Sequence, residues 1–403
     1  MTGKWNYLPL TQKEQLIETE LAKRFASVPP VSQLLVERGV TSVEEADRFL
    51  HPQLKNLHNP FLLPDMDKAV ERLNRAMGSK EKIMVYGDYD VDGTTAVALV
   101  YKYLQNFYSN IDYFIPTRYE EGYGISSETI DDFARQGVKL VIILDCGIKA
   151  NVEIAHAREH GIDFIICDHH VPDDELPQAV AILNPKMPGS TYPCPHLSGC
   201  GVGYKLMQAF SISNGIPQAD LEGMLDLVAV SIAADIVPMV DENRVMTFYG
   251  LRRLNSNPNM GLRAIIRICG LTGKEITISD VIFKIGPRIN ASGRMQSGRE
   301  AVDLLVSRDI TDAYQKARNI DQYNKDRKEL DRRITEEANA ILSQRIEAGS
   351  NKKSIVIFNK DWHKGIIGIV ASRLTELYYK PSVVLTLSNG LATGSSRSVQ
   401  GFD

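Results

Sequence analysis

From Lys82 onward, short apolar runs alternate with stretches whose apolar residues recur every three or four positions. The runs are KIMVYG, IDYFIP, KLVIILD, DFIIC and AVAIL, each of a length suited to a buried strand. Between them, helical patterns run from Thr94 through Asn106, from near Ser126 to Arg135, and over about 150–160. Strand and helix alternating at this spacing predict an α/β domain on a doubly wound parallel sheet. Helices then dominate from Gly199 to about Ile268, including the apolar stretch LEGMLDLVAVSIAADIV. A charged segment without proline, from Asp309 to about Ala348, predicts one long helix joining two lobes. Beyond it, SIVIF, GIIGIVASRLTELYY, SVVLTL and LATGSS predict a second, smaller α/β domain. That domain stops at Gly401-Phe402-Asp403 with no closing helix and reads as incomplete. Residues 1–75 are polar and helical in pattern, punctuated by PPV, HPQ and NPFLLP, and suit an extension packed on the next lobe. The expected division is therefore 1–75, 76–308, a connector helix over 309–350, and 351–403.

Composition adds modest limits. With 403 residues the chain is long for one ordinary domain, in keeping with two lobes. Lysine and arginine number 46 against 50 acidic residues, a net charge of −4 that neither favours nor excludes nucleic acid. Five cysteines with no CxxC, and a polar N-terminus, suggest a reducing cytoplasm. No apolar run approaches the roughly 18 residues needed to cross a membrane.

The candidate chemistry collects after the apolar runs. YGDYDVDG places Asp88, Asp90 and Asp92 after the first run; Asp145 ends KLVIILD; Asp168, His169 and His170 follow DFIIC; Asp235 ends VAVSIAAD. In an open parallel sheet, ligands bind beyond the carboxyl ends of the strands, so all four segments are expected at one sheet edge. Carboxylates crowded there repel one another and lose solvation, and a divalent cation is the natural counter-charge. Mostly oxygen donors with one or two imidazoles suit Mn²⁺ or Mg²⁺, and the set is rich enough for two ions about 4 Å apart. Gly93 would let the loop turn tightly, with Thr94 and Thr95 as caps or anion contacts. Taken singly, DxDxDG is as often a surface turn or calcium loop, and HH is usually structural; the ordered set of four carries the reading. Cys194, His196 and Cys200, with uneven spacing and no fourth partner, are read as loop residues and not as a zinc knuckle.

YGDYDVDGTT, VIILDCGI, CDHH and AADIVP, in that order, resemble the DHH phosphoesterase superfamily. EEGYGIS, GPRINASGRM, WHKGIIGIVASRL and GSSRS are similar to its RecJ family, bacterial exonucleases specific for single-stranded DNA. The similarity runs from about residue 30 to the end and implies a DHH domain followed by a partial DHHA1 domain. It implies metal ligation by Asp90, Asp92, Asp145, His169 and Asp235, with Asp88 as a further ligand and Asp145 bridging two ions. It places His170 at the scissile phosphate, and Arg288, Asn290 and Arg294 on a phosphate-facing motif, a task suited to arginine forks. Ser395, Ser396 and Arg397, with Trp362, His363 and Lys364 nearby, would receive the nucleic-acid end. The implied activity is metal-dependent 5′-to-3′ hydrolysis of single-stranded DNA to 5′-mononucleotides, in repair and recombination. The implied partners are single-stranded-DNA-binding protein and a helicase.

Two departures stand out. The family's second lobe continues into a Gly-Gly-His segment, and longer members add an OB-fold that this chain lacks. Tyr86 stands where many small-substrate relatives carry a histidine ligand. Two alternatives therefore stay open: a phosphoesterase of short oligonucleotides or cyclic dinucleotides, and a non-catalytic replication scaffold of the same fold.

Overall fold

A computed structural model of the chain describes residues 9–26, 29–118, 124–347 and 352–402. Within EEGYGIS, residues 120–123 lie outside the described residues. Helices α1 (Gln12–Phe25), α2 (Pro29–Glu37) and α3 (Val43–Leu50) close a small core of Leu21, Leu35, Val36, Val40 and Ala46. Thr11 and Glu14 cap α1 reciprocally, which satisfies amides that the first turn leaves open. Helix α4 (Met66–Gly78) turns Met66, Ala69, Val70, Leu73 and Ala76 into the main core, so the extension's last helix packs as part of the next domain.

The main domain alternates β1 (Lys82–Gly87), α5 (Val91–Leu104), β2 (Ile111–Phe114), α6 (Ser127–Arg135), β3 (Val138–Leu144), α7 (Asn151–Glu159), β4 (Asp163–Cys167) and β5 (Ala181–Leu183). All five strands are parallel in the order β2-β1-β3-β4-β5. The chain leaves β1 to one side and returns to β3 on the other, which opens a crevice beyond their carboxyl ends. Ile83, Val85, Leu140 and Ile142 face one core layer, with α4 and α5; Met84, Tyr86, Val141 and Ile143 face the other, with α6 and α7. Burial on both faces explains why these runs are continuously apolar. The helix expected from Thr94 begins at Val91, because Asp90 caps it, accepting from the Gly93 amide at 3.1 Å.

Helices α8 (Gly199–Ser213), α9 (Ala219–Glu222), α10 (Leu225–Asp235), α11 (Asp241–Ser256), α12 (Met260–Ile268) and α13 (Ile278–Asp280) follow. Cys200 belongs to α8, whose first turn Ser198 caps, and not to a loop as expected. A π-helical turn over Val281–Ile285 leads into α14 (Gly286–Met295) and α15 (Arg299–Leu305).

Helix α16 (Ile310–Glu347) is the long connector, about 57 Å at helical rise. Its first half buries Ala313, Ala317 and Ile320 in the main core; its second half buries Ile334, Ala338 and Leu342 in the second domain. One helix thus serves two cores. The second domain holds β6 (Ile355–Phe358), α17 (Ile367–Tyr378), β7 (Ser382–Ser388) and β8 (Leu391–Arg397), with β6 and β7 parallel and β8 antiparallel to β7.

Candidate metal centre and phosphate cleft

The turn from β1 to α5 carries the first three aspartates. It is tight: a Cβ on Gly93 would stand 2.6 Å from the Asp88 nitrogen. Asp92, in the first turn of α5, reaches across to the start of α8. There the amides of Gly199 and Cys200 each donate to its carboxylate at 2.7 Å, and Ser231 Oγ adds a third bond at 2.7 Å. Helix-terminal amides hold a carboxylate firmly in one orientation. Asp145, just past β3, sits in the left-handed region at φ 61°, with its amide bonded to Cys167 O at 2.9 Å.

Past β4, Asp168 and the two histidines divide the work. Asp168 Oδ1 accepts from the amides of His169 and His170 and lies 2.7 Å from His170 Nδ1; Oδ2 accepts from Ile148 N at 3.0 Å. Asp168 is thereby spent on orienting its neighbours. His169 points the other way, its Nε2 3.2 Å from Asp145 Oδ1, 3.6 Å from Asp235 Oδ2 and 3.7 Å from Asp92 Oδ2.

Asp235 reaches this centre from a helix, in the region where the sequence pattern expects helices: it is the last residue of α10, followed by Ile236 at φ 58°. The run Leu227–Ala233 is buried all round, which makes α10 a central helix.

Three groups of donor atoms result, each within 4.8 Å: Asp88, Asp90 and Asp145; Asp92, His169 and Asp235; Asp145, His169 and His170. Asp145 and His169 join them into one centre. Burial, reinforced by neighbouring carboxylates, raises Asp88 and Asp235 each to about 7 and pushes Asp90 and Asp145 upward as well. Burial also lowers His169 and so favours its neutral, metal-ligating form, whereas the bond to Asp168 raises His170. Asp88 Oδ1 is buried with no hydrogen-bond partner among the described residues. A hard or borderline divalent cation fits this donor set: it would take the orphaned oxygen and relieve the repulsion. Tyr86 is outside the centre, stacked on Phe114 with its hydroxyl donating to Gly124 O at 2.7 Å.

Beside the carboxylates lies a group of half-buried cations. Arg294 is pushed down to about 10, first by burial and then by Arg118 and Arg327, with Asp90 and Tyr89 acting in the opposite sense. Arg118 stacks 4.2 Å over the Tyr89 ring, and its Nε, like that of Arg327, is buried without a partner among the described residues. The second domain meets this cleft: Arg294 Nη1 donates to Gly365 O at 3.3 Å, and Lys364 Nζ to Arg118 O at 2.9 Å.

GPRINASGR, readable as a glycine-rich turn, is helical. Its periodicity puts Asn290 and Arg294 on one face, where Asn290 Oδ1 accepts from Val91 N at 3.1 Å. Arg288 faces the connector instead, paired with Asp321 at 2.9 Å and donating to Lys284 O. Arg397 bonds Ser395 Oγ at 3.0 Å and Ser396 O at 2.6 Å on β8, beside Gly368 of α17. Trp362 is a core residue, its Nε1 donating to Glu337 at 2.8 Å. Sequence reasoning missed Arg118 and Arg327. Arg118 follows an apolar run at the same sheet edge and could have been found that way; Arg327, inside a charged helix, gives no signal.

Residues 82–232 match the DHH family, N-terminal domain. The Bacillus subtilis protein named single-stranded-DNA-specific exonuclease RecJ is 39% identical over 385 residues, covering 95% of this chain and 48% of that protein. The Escherichia coli protein of the same name is 34% identical over 398 residues, covering 95% of this chain and 68% of the relative. The chain belongs to the RecJ family. It spans about half the length of the Bacillus subtilis RecJ. Among solved structures, RecJ of Thermus thermophilus in complex with Mn²⁺ aligns with a TM-score of 0.81 and 27% identity over 96% of this chain and 54% of that one. An exonuclease RecJ bound to manganese aligns with a TM-score of 0.75 and 28% identity, over 87% of this chain and 85% of that one. The parallel sheet, connector and second domain thus form the RecJ architecture.

Proposed function

We propose that this chain is a hydrolase that degrades single-stranded DNA from its 5′ end to 5′-mononucleotides, using two divalent cations, Mn²⁺ or Mg²⁺. The observation that carries the reading is Asp145, shared between two donor groups at the sheet's switch point, beside half-buried arginines. Asp88, Asp90 and Asp145 would hold one ion; Asp92, Asp145, His169 and Asp235 would hold the other. Such ions, when bound, supply an activated water at neutral pH and neutralise charge on the leaving oxygen.

The chain's own groups do the positioning. His170, kept protonated more readily by Asp168 and half exposed, donates a hydrogen bond to a phosphate oxygen. Arg294 and Arg118 grip the phosphate next to the metals, as guanidinium forks match its oxygens bidentately. Asn290 secures the start of α5 and with it Asp90 and Asp92, while Arg288 locks α14 to the connector. Ser395, Ser396 and Arg397 anchor the 5′ phosphate from the second domain and set the direction of cutting. Family membership supports work in repair and recombination in the cytoplasm, beside a single-stranded-DNA-binding protein and a helicase.

The test is product and polarity. On a 5′-phosphorylated single strand with Mn²⁺, mononucleotides should appear from the first time point, and blunt duplex should resist. Internal fragments, or release from the 3′ end, would contradict the reading.

A further inference from the structure

We propose a second metal site, on the outer layer of the main domain, formed by Asp131 of α6 with His156 of α7 and His160, the residue that caps the C-terminus of α7, and suited to Zn²⁺ or Co²⁺. The two histidines stand four positions apart, the spacing that stacks side chains on one helix face. Their Nε2 atoms converge on a single oxygen: His156 lies 2.8 Å and His160 3.3 Å from Asp131 Oδ1, with the rings edge to face at 4.8 Å. One donor atom from each of the three lies within 4.8 Å of the others. The side chains are 29%, 38% and 49% exposed for His156, His160 and Asp131, which leaves room for solvent as the fourth ligand.

The location separates this group from the catalytic centre. Helix α7 follows the Asp145 loop and runs back along the sheet towards the start of β4. His156 and His160 therefore lie towards its far end, away from the edge where the carboxylates gather. The donor chemistry differs too. Two imidazoles and one carboxylate select borderline transition ions, whereas Mg²⁺ prefers oxygen donors throughout. Binding would tie α6 to the end of α7, the two helices that cover Ile143 and Phe164. A cation bound only by the folded chain stabilises it by mass action.

The test uses chelator-treated full chain saturated with Mg²⁺ and then titrated with Zn²⁺ in a calorimeter, alongside a His156→Asn/His160→Gln variant. We expect the variant to bind one Zn²⁺ equivalent fewer than the parent. We expect Zn²⁺ to raise the parent's unfolding midpoint by several degrees more than the variant's, with Mg²⁺-dependent nuclease activity the same in both. Asp131→Asn, which keeps both histidines, should weaken the extra equivalent at least tenfold. Equal Zn²⁺ stoichiometry and equal stabilisation in the parent and the folded double variant would overturn the proposal.

Discussion

Gly199 stands so close to Asp145 that a Cβ there would lie 2.6 Å from the aspartate's own Cβ. The same glycine's amide donates to Asp92 at 2.7 Å. One residue without a side chain thus lets two carboxylates from different strand ends approach each other. Gly199→Ala is expected to displace Asp145 and to lower metal affinity or turnover about 10- to 100-fold, the usual cost of disturbing a ligand's supports. Calorimetric titration with Mn²⁺ and a nuclease assay check this.

The raised carboxylates make stability depend on pH in a definite sense. Asp88 and Asp235 rise to about 7 in the folded chain from ordinary values near 4 when unfolded, so the folded state binds more protons between those limits. Their contribution is full below the unfolded value and is lost as pH rises through about 7. The metal-free chain should therefore unfold at a lower temperature at pH 8 than at pH 5.5. Saturating Mn²⁺ should narrow the difference, because the cation replaces the protons. Thermal melts at both pH values, with and without Mn²⁺, measure it.

Metal affinity should follow the opposite course. Ligation needs deprotonated Asp88 and Asp235 and neutral His169. Mn²⁺ affinity and limiting-metal nuclease rate should climb between pH 6 and 8 and then level. A flat profile would remove these two carboxylates from the ligand set.

Removing a cleft arginine should act on DNA and not on the metals. Arg294→Ala and Arg118→Ala are expected to reduce cleavage of a single strand at least tenfold while Mn²⁺ affinity changes little. Because phosphate contacts release counterions, each variant should also flatten the dependence of binding on salt.

A stability prediction concerns a pair outside the site. Lys205 and Glu242 are fully buried and 2.8 Å apart; Lys205 also donates to His58 O, and Tyr192 donates to Glu242. This network pins the segment before α4 onto α8 and α11. Lys205→Met should destabilise the chain by about 3–5 kcal/mol, because it leaves a buried carboxylate uncompensated. The double variant Lys205→Met/Glu242→Leu should recover much of that loss in denaturant unfolding.

The sheet was legible because its strands are buried on both faces and so read as unbroken apolar runs. The sheet's order then explains why aspartates far apart in sequence meet: β1 and β3 are neighbours, and Asp88 and Asp145 follow their ends. Asp235 was legible as the end of an apolar helical segment, although a helix buried on all sides shows no amphipathic period of its own. Long-range electrostatics were the least legible. Nothing local to Arg327 distinguishes it from the other cations of α16, and only packing brings it towards Arg294. GPRINASGR was legible as a motif but not as a helix, since two glycines and a proline give little helix signal and α14 packs against α16.

The most direct test of the central claim compares the chain with Asp145→Asn on a 5′-labelled single strand, each with Mn²⁺ and with EDTA. The substitution removes a carboxylate that both donor groups share and relieves repulsion, so the variant should be folded and, without metal, at least as stable as the parent. The parent should release mononucleotides with Mn²⁺ and none with EDTA, and the variant should lose at least a thousandfold. Undiminished release by a folded Asp145→Asn protein, or release that persists in EDTA, would contradict that claim.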